Sequence, residues 1–344
     1  MMLSIDGSIG EGGGQVLRSA VALSTVTGRE LGVFNIRAGR SNPGIRPQHL
    51  AAIKAVASLC DASVEGLAVG SSEIIFSPGK IRSGRFKVDV GTAGSLSLVL
   101  QALLVPAFHA PGKVEFRLQG GTDVRWSPPI DYLRYVFLPL LKRFGFICSI
   151  TLEKRGFYPK GGGWVKVTAH PSKPERIMLV DRGSIKEIGG HSIAHKELRG
   201  HRVADRQAGS SKKILSDYLS NKGYEGDIDI SREYVDSPSL GSGVLLYAVT
   251  TNSILGFDSL GERGKSSDAV GTDAAKGLIN ELESGAALDC FMADQIIPYL
   301  ALAGGEVSVS QVSGHCRTNV EVVNRFGFDL RIKDNRIISR TGVQ

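Results

Sequence analysis

Apolar and polar positions along the chain change period at regular intervals, and the changes predict an alternation of strands and helices. A glycine-rich turn at residues 10–14 runs into a helically periodic apolar segment, 15–27. A strand-like run (31–37), a loop with Asn42, Pro43 and Gly44, a second helix (47–60) and two further strands (63–69 and 73–76) follow. The same order returns downstream. A strand ends at 88–90, the turn Gly91-Thr92-Ala93-Gly94 opens a helix over about 95–108, and 113–119 reads as a strand. Pro128 and Pro129 open a helix over 130–144, and strands follow at 146–153 and 163–169. Gly39 precedes Pro47 by the same eight residues that separate Gly120 from Pro128. This register match points to stacked copies of one βαβαββ unit.

A third helix pair is expected at 269–283 and 290–303, followed by strands at 306–312, 318–323 and 328–332. Between the second and third units, 181–260 has a different texture. One strongly polar helix (202–222) and several strands, including 243–250, suggest a small α+β domain inserted through permissive loops. The expected architecture is therefore α/β (α+β). A large domain of three βαβαββ units, 1–180 and 261–344, carries the smaller inserted domain at 181–260.

Composition narrows the class. Of 344 residues, 42% are hydrophobic and 22% charged, the balance of a folded globular protein. Lys and Arg exceed Asp and Glu by seven, which is compatible with a polyanionic partner. Cys60, Cys148, Cys290 and Cys316 are scattered without a CxxC pair, against a zinc site or a disulfide framework. The N-terminal residues carry no signal-peptide pattern, and the most apolar stretch, 95–110, is too short to span a bilayer. A cytoplasmic protein without a membrane partner is expected. Its oligomeric state stays open, a homo-oligomer included.

Four segments could carry chemistry. The glycines around Glu11 expose backbone N–H groups at a helix N-terminus, which favours phosphate, and Arg18 lies one turn inside. A carboxylate such as Glu11 beside an anion makes sense if it binds a bridging metal ion. No Gly-Lys-Ser/Thr follows, so this is not a P-loop. The second segment places Arg37, Arg40 and Arg46 around a strand end and loop, before Gln48 and His49. The third, Phe291-Met292-Ala293-Asp294-Gln295, sets an aromatic ring and a carboxylate on one helix face, able to stack a purine and accept from its amino group. The fourth, Ser313-Gly314-His315-Cys316-Arg317-Thr318-Asn319, reads as a small-residue loop before a strand, with an accessible histidine free of HxH or HxxxH metal spacing.

Together and in this order, IDGSxGEGGGQxLR, RxGRxNPGxxPQH, the ADQ helix and SxHxxTN resemble the RNA 3'-terminal phosphate cyclase family over nearly the whole chain, the inserted segment included. The resemblance implies three βαβαββ units with an inserted domain, and makes His315 the nucleophile that takes AMP from ATP. It implies a nucleotide pocket of Phe291, Met292, Ala293, Asp294, Gln295, Gln101 and Pro128. Glu11 becomes a metal contact, the metal being Mg²⁺ or Mn²⁺. Arg18, Arg37, Arg40 and Gln48 become the phosphate-binding surface for RNA 3'-phosphate ends. Phe291 stands where some relatives have tyrosine, which keeps stacking and loses a hydroxyl. A cyclase-like branch of the fold lacks the histidine and serves ribosome assembly, so the presence of His315 favours the enzyme. Two alternatives remain: a non-catalytic RNA-binding or ribosome-assembly factor, and a phosphate-handling transferase acting on a small metabolite.

Overall fold

A computed structural model describes residues 2–340 of the chain. It is a mixed α/β structure, and three of its four sheets share one design. The first contains β1 (Leu3–Asp6), β2 (Leu31–Phe34), β3 (Ser63–Glu65) and β4 (Ile74–Ser77), in the order β1-β2-β4-β3. The second contains β5 (Gly84–Asp89), β6 (Val114–Gly120), β7 (Cys148–Lys154) and β8 (Gly163–Ala169), in the order β5-β6-β8-β7. In each, the first two strands are parallel and the other pairings antiparallel. A parallel pair needs a crossover, and the helices Gly14–Thr27 and Leu96–Ala107 supply it.

The next strand, β9 (Ile177–Leu179), is interrupted before its partner arrives. The chain first makes a sheet of its own from β10 (Ile185–His195), β11 (Ile228–Val235), β12 (Ser242–Thr250) and β13 (Ile254–Leu260), in the order β11-β10-β12-β13. It then returns to pair β14 (Gly305–Ser308) with β9, and adds β15 (Leu330–Lys333) and β16 (Arg336–Ser339) in the order β15-β16-β14-β9. The strand order and directions match those of the first two sheets.

Helix Gly14–Thr27 packs against Pro47–Cys60, Leu96–Ala107 and Gly314–Arg325. Its burial from Gln15 to Thr25 on nearly every face follows, since a helix surrounded by helices has no solvent side. These helices and the three sheets share one core. A second core lies between the β10–β13 sheet and two helices, Val203–Ser220 and Ser267–Glu283.

Two local expectations are corrected. The segment 318–323 is not a strand but lies inside helix Gly314–Arg325. Cys316, Asn319, Val320 and Val323 recur at helical spacing on its buried side, and the Ser313 hydroxyl caps it by accepting from the Cys316 N–H at 2.9 Å. The valines at 320, 322 and 323 mimic a strand in sequence, and packing overrides that propensity. Helix Ser267–Glu283 does not pair with the next helix in the third unit. Its apolar residues Val270, Ala274, Leu278 and Leu282 pack into the second core instead.

Candidate active site

Glycine chemistry shapes the centre of the site. Gly10 and Gly12 have φ of +57° and +55°, where a side chain is strained, and a Cβ on Gly10 would lie 2.1 Å from Thr318 Oγ1. The turn therefore lies flat on the first turn of helix Gly314–Arg325, and the Glu11 N–H reaches Thr318 Oγ1 at 3.3 Å. Thr318 Oγ1 in turn donates to the Gly314 carbonyl at 2.8 Å. This docking brings the Glu11 carboxylate to His315, with Oε2 3.1 Å from Nδ1. Arg40 Nη2 approaches the same oxygen at 3.7 Å. All three side chains are more than two-fifths exposed, so a ligand can reach them.

The carboxylate lies beside the Nδ1 edge of the ring. A proton on Nδ1 would face an acceptor there, and in that neutral tautomer Nε2 keeps a lone pair. His315 is in a helix's first turn rather than in a loop, and a carboxylate lies beside its ring.

Three helix N-termini meet here. Helix Gly14–Thr27 begins at Gly13 with no side-chain cap and no acidic residue in its first turn. A Cβ on Gly13 would lie 3.4 Å from Arg40 Nη2 and 3.6 Å from His315 Cε1. Helix Pro47–Cys60 contributes His49, whose Nδ1 accepts from the Arg46 N–H at 3.2 Å and whose Nε2 faces the Cα of Gly14. Burial first, then Arg18, Arg37 and Arg46, depress His49 to about 3, so it is neutral near pH 7. Together with helix Gly314–Arg325, these ends direct partial positive charge toward one place, an arrangement suited to phosphate.

A small cleft adjoins it, lined by Gln15, Arg18, Gln101, Asp294, Gln295 and Asn319. Buried polar atoms in native proteins almost always have partners. Here Gln15 Oε1, Arg18 Nε, Gln295 Oε1 and Asn319 Oδ1 have none among the described residues. Burial lowers Arg18 to about 10 and raises Asp294 to about 7, while their mutual attraction opposes both shifts. Such a ring of unmet donors and acceptors is chemically suited to a polar ligand.

Phe291 is not among the residues that line this cleft, and its carbonyl accepts from Gln295 Nε2 at 2.7 Å. Its ring meets Tyr132 edge-on at 5.8 Å and Phe257 at 5.3 Å. Asp289 fixes the helix that carries it, accepting from the Phe291 and Met292 N–H groups, from Tyr132 Oη at 2.7 Å and from the Gly256 N–H at 2.8 Å. Phe257 and Gly256 come from β13, so the second core's sheet helps position this ring. Sequence reasoning missed Phe257, which carries no local signal. It also passed over Asp289, a legible N-cap immediately before helix Cys290–Gln295.

The other expected residues are placed less centrally. Met292 and Ala293 are fully buried in the core, which withdraws their side chains from a ligand. Arg37 spends Nη1 on the carbonyls of Asn42 and Gly44, bracing its own loop. Gln48 Oε1 accepts from the Ser95 N–H at 3.0 Å, tying the arginine loop's helix to the second unit. The Pro128 carbonyl accepts from Ser97 Oγ at 2.6 Å on a neighbouring loop. Among the described residues, no group of three or more His, Cys, Asp or Glu could by itself cage a metal ion, and no helix is long and apolar enough to cross a membrane.

Comparison with known proteins agrees over almost the full length. A family model described as RNA 3'-terminal phosphate cyclase matches residues 9–333. A protein of that name from Ignicoccus hospitalis is 46% identical over 340 residues, covering 96% of this chain and 94% of its own. One from Pyrococcus abyssi is 44% identical over 326 residues, covering 94% and 93%. One from Hyperthermus butylicus is 46% identical over 328 residues, covering 94% and 90%.

Proposed function

The chain belongs to the RNA 3'-terminal phosphate cyclase family, and on that premise we propose that it converts RNA 3'-phosphate ends to 2',3'-cyclic phosphates at the expense of ATP, with His315 as the residue that carries AMP. The observation that supports this reading is the Glu11–His315 contact of 3.1 Å at the meeting point of the helix N-termini.

The chemistry has three steps. His315 Nε2 attacks the α-phosphorus of ATP, a P–N bond forms, and pyrophosphate leaves. A phosphate oxygen of the RNA 3'-end then attacks the same phosphorus, the P–N bond breaks, and AMP passes to the RNA. Finally the neighbouring ribose 2'-oxygen attacks the terminal phosphorus, losing its proton and expelling AMP as the five-membered cyclic ester closes. Proximity supplies much of the last step, because attacking and leaving groups belong to one molecule. The protein holds the phosphates near His315 with Arg40 and backbone N–H groups, which stabilise charge where it develops. Arg18, Gln101 and Asp294 present polar groups to the nucleotide, and Phe291 an aromatic face.

A divalent cation, Mg²⁺ or Mn²⁺, fits this site only as a companion of the triphosphate. Glu11 can offer one carboxylate, and phosphate oxygens and water would complete the shell, as is common for magnesium. When bound, the cation offsets charge on the triphosphate.

The reading is tested with an oligonucleotide whose 3'-phosphate is radiolabelled. Incubation with the protein, ATP and a divalent cation should make the label resistant to phosphatase, and omission of ATP should leave it sensitive. A label that stays sensitive in the complete mixture would remove the cyclase reading.

A further inference from the structure

We propose that the exposed aromatic rim formed by Trp126 and Tyr158 is a landing surface for single-stranded RNA, holding the nucleotides on the 5' side of the terminal phosphate. The proposal rests on the cyclase reading for the identity of the strand's end, but the surface is argued from its own features.

Trp126 is 93% exposed and Tyr158 74% exposed, so neither ring packs into the fold. Trp126 has a φ of +61°, a region that disfavours a bulky L side chain. The backbone thus holds a large apolar ring fully in water in an unfavourable conformation, a combination that folding does not require. The base of the rim, by contrast, is firm. The Thr122 N–H donates to the Gly156 carbonyl at 2.9 Å, and Asp123 pairs with Phe157, so the loops bearing Trp126 and Tyr158 run side by side. Arg155, 5% exposed, clamps Asp123 at 3.3 Å and Asp131 at 2.6 Å beneath them. Two water-facing rings on loops joined at a firm base are suited to stacking by bases.

Continuity with the active site indicates the occupant. From Tyr158 the loop leads to Gly161, which packs on Thr92 and Ala93. The adjoining Ser95 N–H donates to Gln48, whose neighbour His49 touches Gly14 beside Arg40 and His315. A strand with its terminal phosphate at His315 can follow this path to the aromatic rings. Arg46 and Lys160 are exposed along the path and have no carboxylate partner among the described residues, so cationic groups face the backbone. Flat rings interleaved with cations are the features by which proteins hold single strands without reading their sequence.

The chain has two tryptophans, so Trp164→Phe leaves Trp126 as the sole indole reporter. Titration of this variant with a 3'-phosphorylated oligonucleotide of about ten nucleotides should quench its emission to saturation. Independently, Trp126→Ala and Tyr158→Ala should each raise KM for that oligonucleotide about tenfold. Both should leave KM for a mononucleoside 3'-phosphate and the rate of self-labelling by ATP at the wild-type values. Unchanged emission together with an unchanged dependence on oligonucleotide length would overturn the proposal. Emission that shifts with protein concentration in the absence of RNA would also overturn it, assigning the rim to a second copy of the chain. Quenching by RNA in a protein that forms no cyclic ends would uphold the surface and remove the cyclase reading alone.

Discussion

Removing the Glu11 carboxylate tests whether His315 is oriented or merely present. In Glu11→Ala the ring loses the acceptor 3.1 Å from Nδ1, and Arg40 loses its neighbour at 3.7 Å. Both side chains are more than two-fifths exposed, and an exposed ion-pair contact of this kind contributes up to about 1 kcal/mol. The imidazole is then also free to present the wrong nitrogen or leave its position, which adds a comparable penalty at the transition state. Self-adenylation, followed in single turnover with α-labelled ATP, should therefore slow by about 10- to 50-fold. Glu11→Gln should recover part of the rate, because its amide oxygen can still accept from Nδ1–H. The metal dependence separates the two roles open to this residue. If Glu11 orients His315, raising Mg²⁺ or Mn²⁺ leaves the alanine variant slow. A wild-type rate in Glu11→Ala, or full restoration by added metal, would refute the orienting role.

Three further outcomes are expected. Gly14→Ala would set a Cβ 2.0 Å from His49 Nε2, so it should displace that ring and lower the thermal midpoint by a few degrees; a second change, His49→Ala, should recover much of the loss, and simple additivity of the two would contradict the contact. Arg40→Ala should slow AMP transfer and ring closure more than self-adenylation, and an equal loss of both in single-turnover assays would assign Arg40 to ATP instead. Burial raises Asp258 from 3.8 to about 7, so the folded state retains a proton that the unfolded state releases, and stability falls as pH rises through this window. Asp258→Asn should therefore melt a few degrees above wild type at pH values around 8 and with it at pH values around 4, and equal melting at both would show that the carboxyl is not held protonated.

The parts of this molecule that were legible in sequence are those written in local chemistry. Glycine turns before periodic apolar runs mark helices Gly14–Thr27 and Leu96–Ala107, and proline marks the start of Pro47–Cys60. The motifs around Glu11, Arg40 and His315 are hundreds of residues apart in places; glycines and arginines suited two of them to phosphate, and the family resemblance alone joined all three into one expected site. What stayed hidden depends on packing. The valines after His315 favour a strand in isolation, and only the buried face of Gly314–Arg325 decides for a helix. Helix Ser267–Glu283 has an ordinary amphipathic pattern, which does not say against which core its apolar face lies. The partnership of Glu11 with His315 arises from a turn lying on a distant helix, and no spacing encodes it. Phe257 reaches Phe291 from β13 for the same reason.

The most direct test of the account is to locate the AMP. Protein incubated with α-labelled ATP and a divalent cation, without RNA, should acquire an acid-labile and alkali-stable adduct, and peptide mass spectrometry should place it on His315. His315→Ala, which removes a side chain about half exposed in the first turn of a capped helix, should fold normally and take up no label. A labelled His315→Ala protein, or an adduct mapped to any other residue, would contradict the assignment of His315 as the nucleophile.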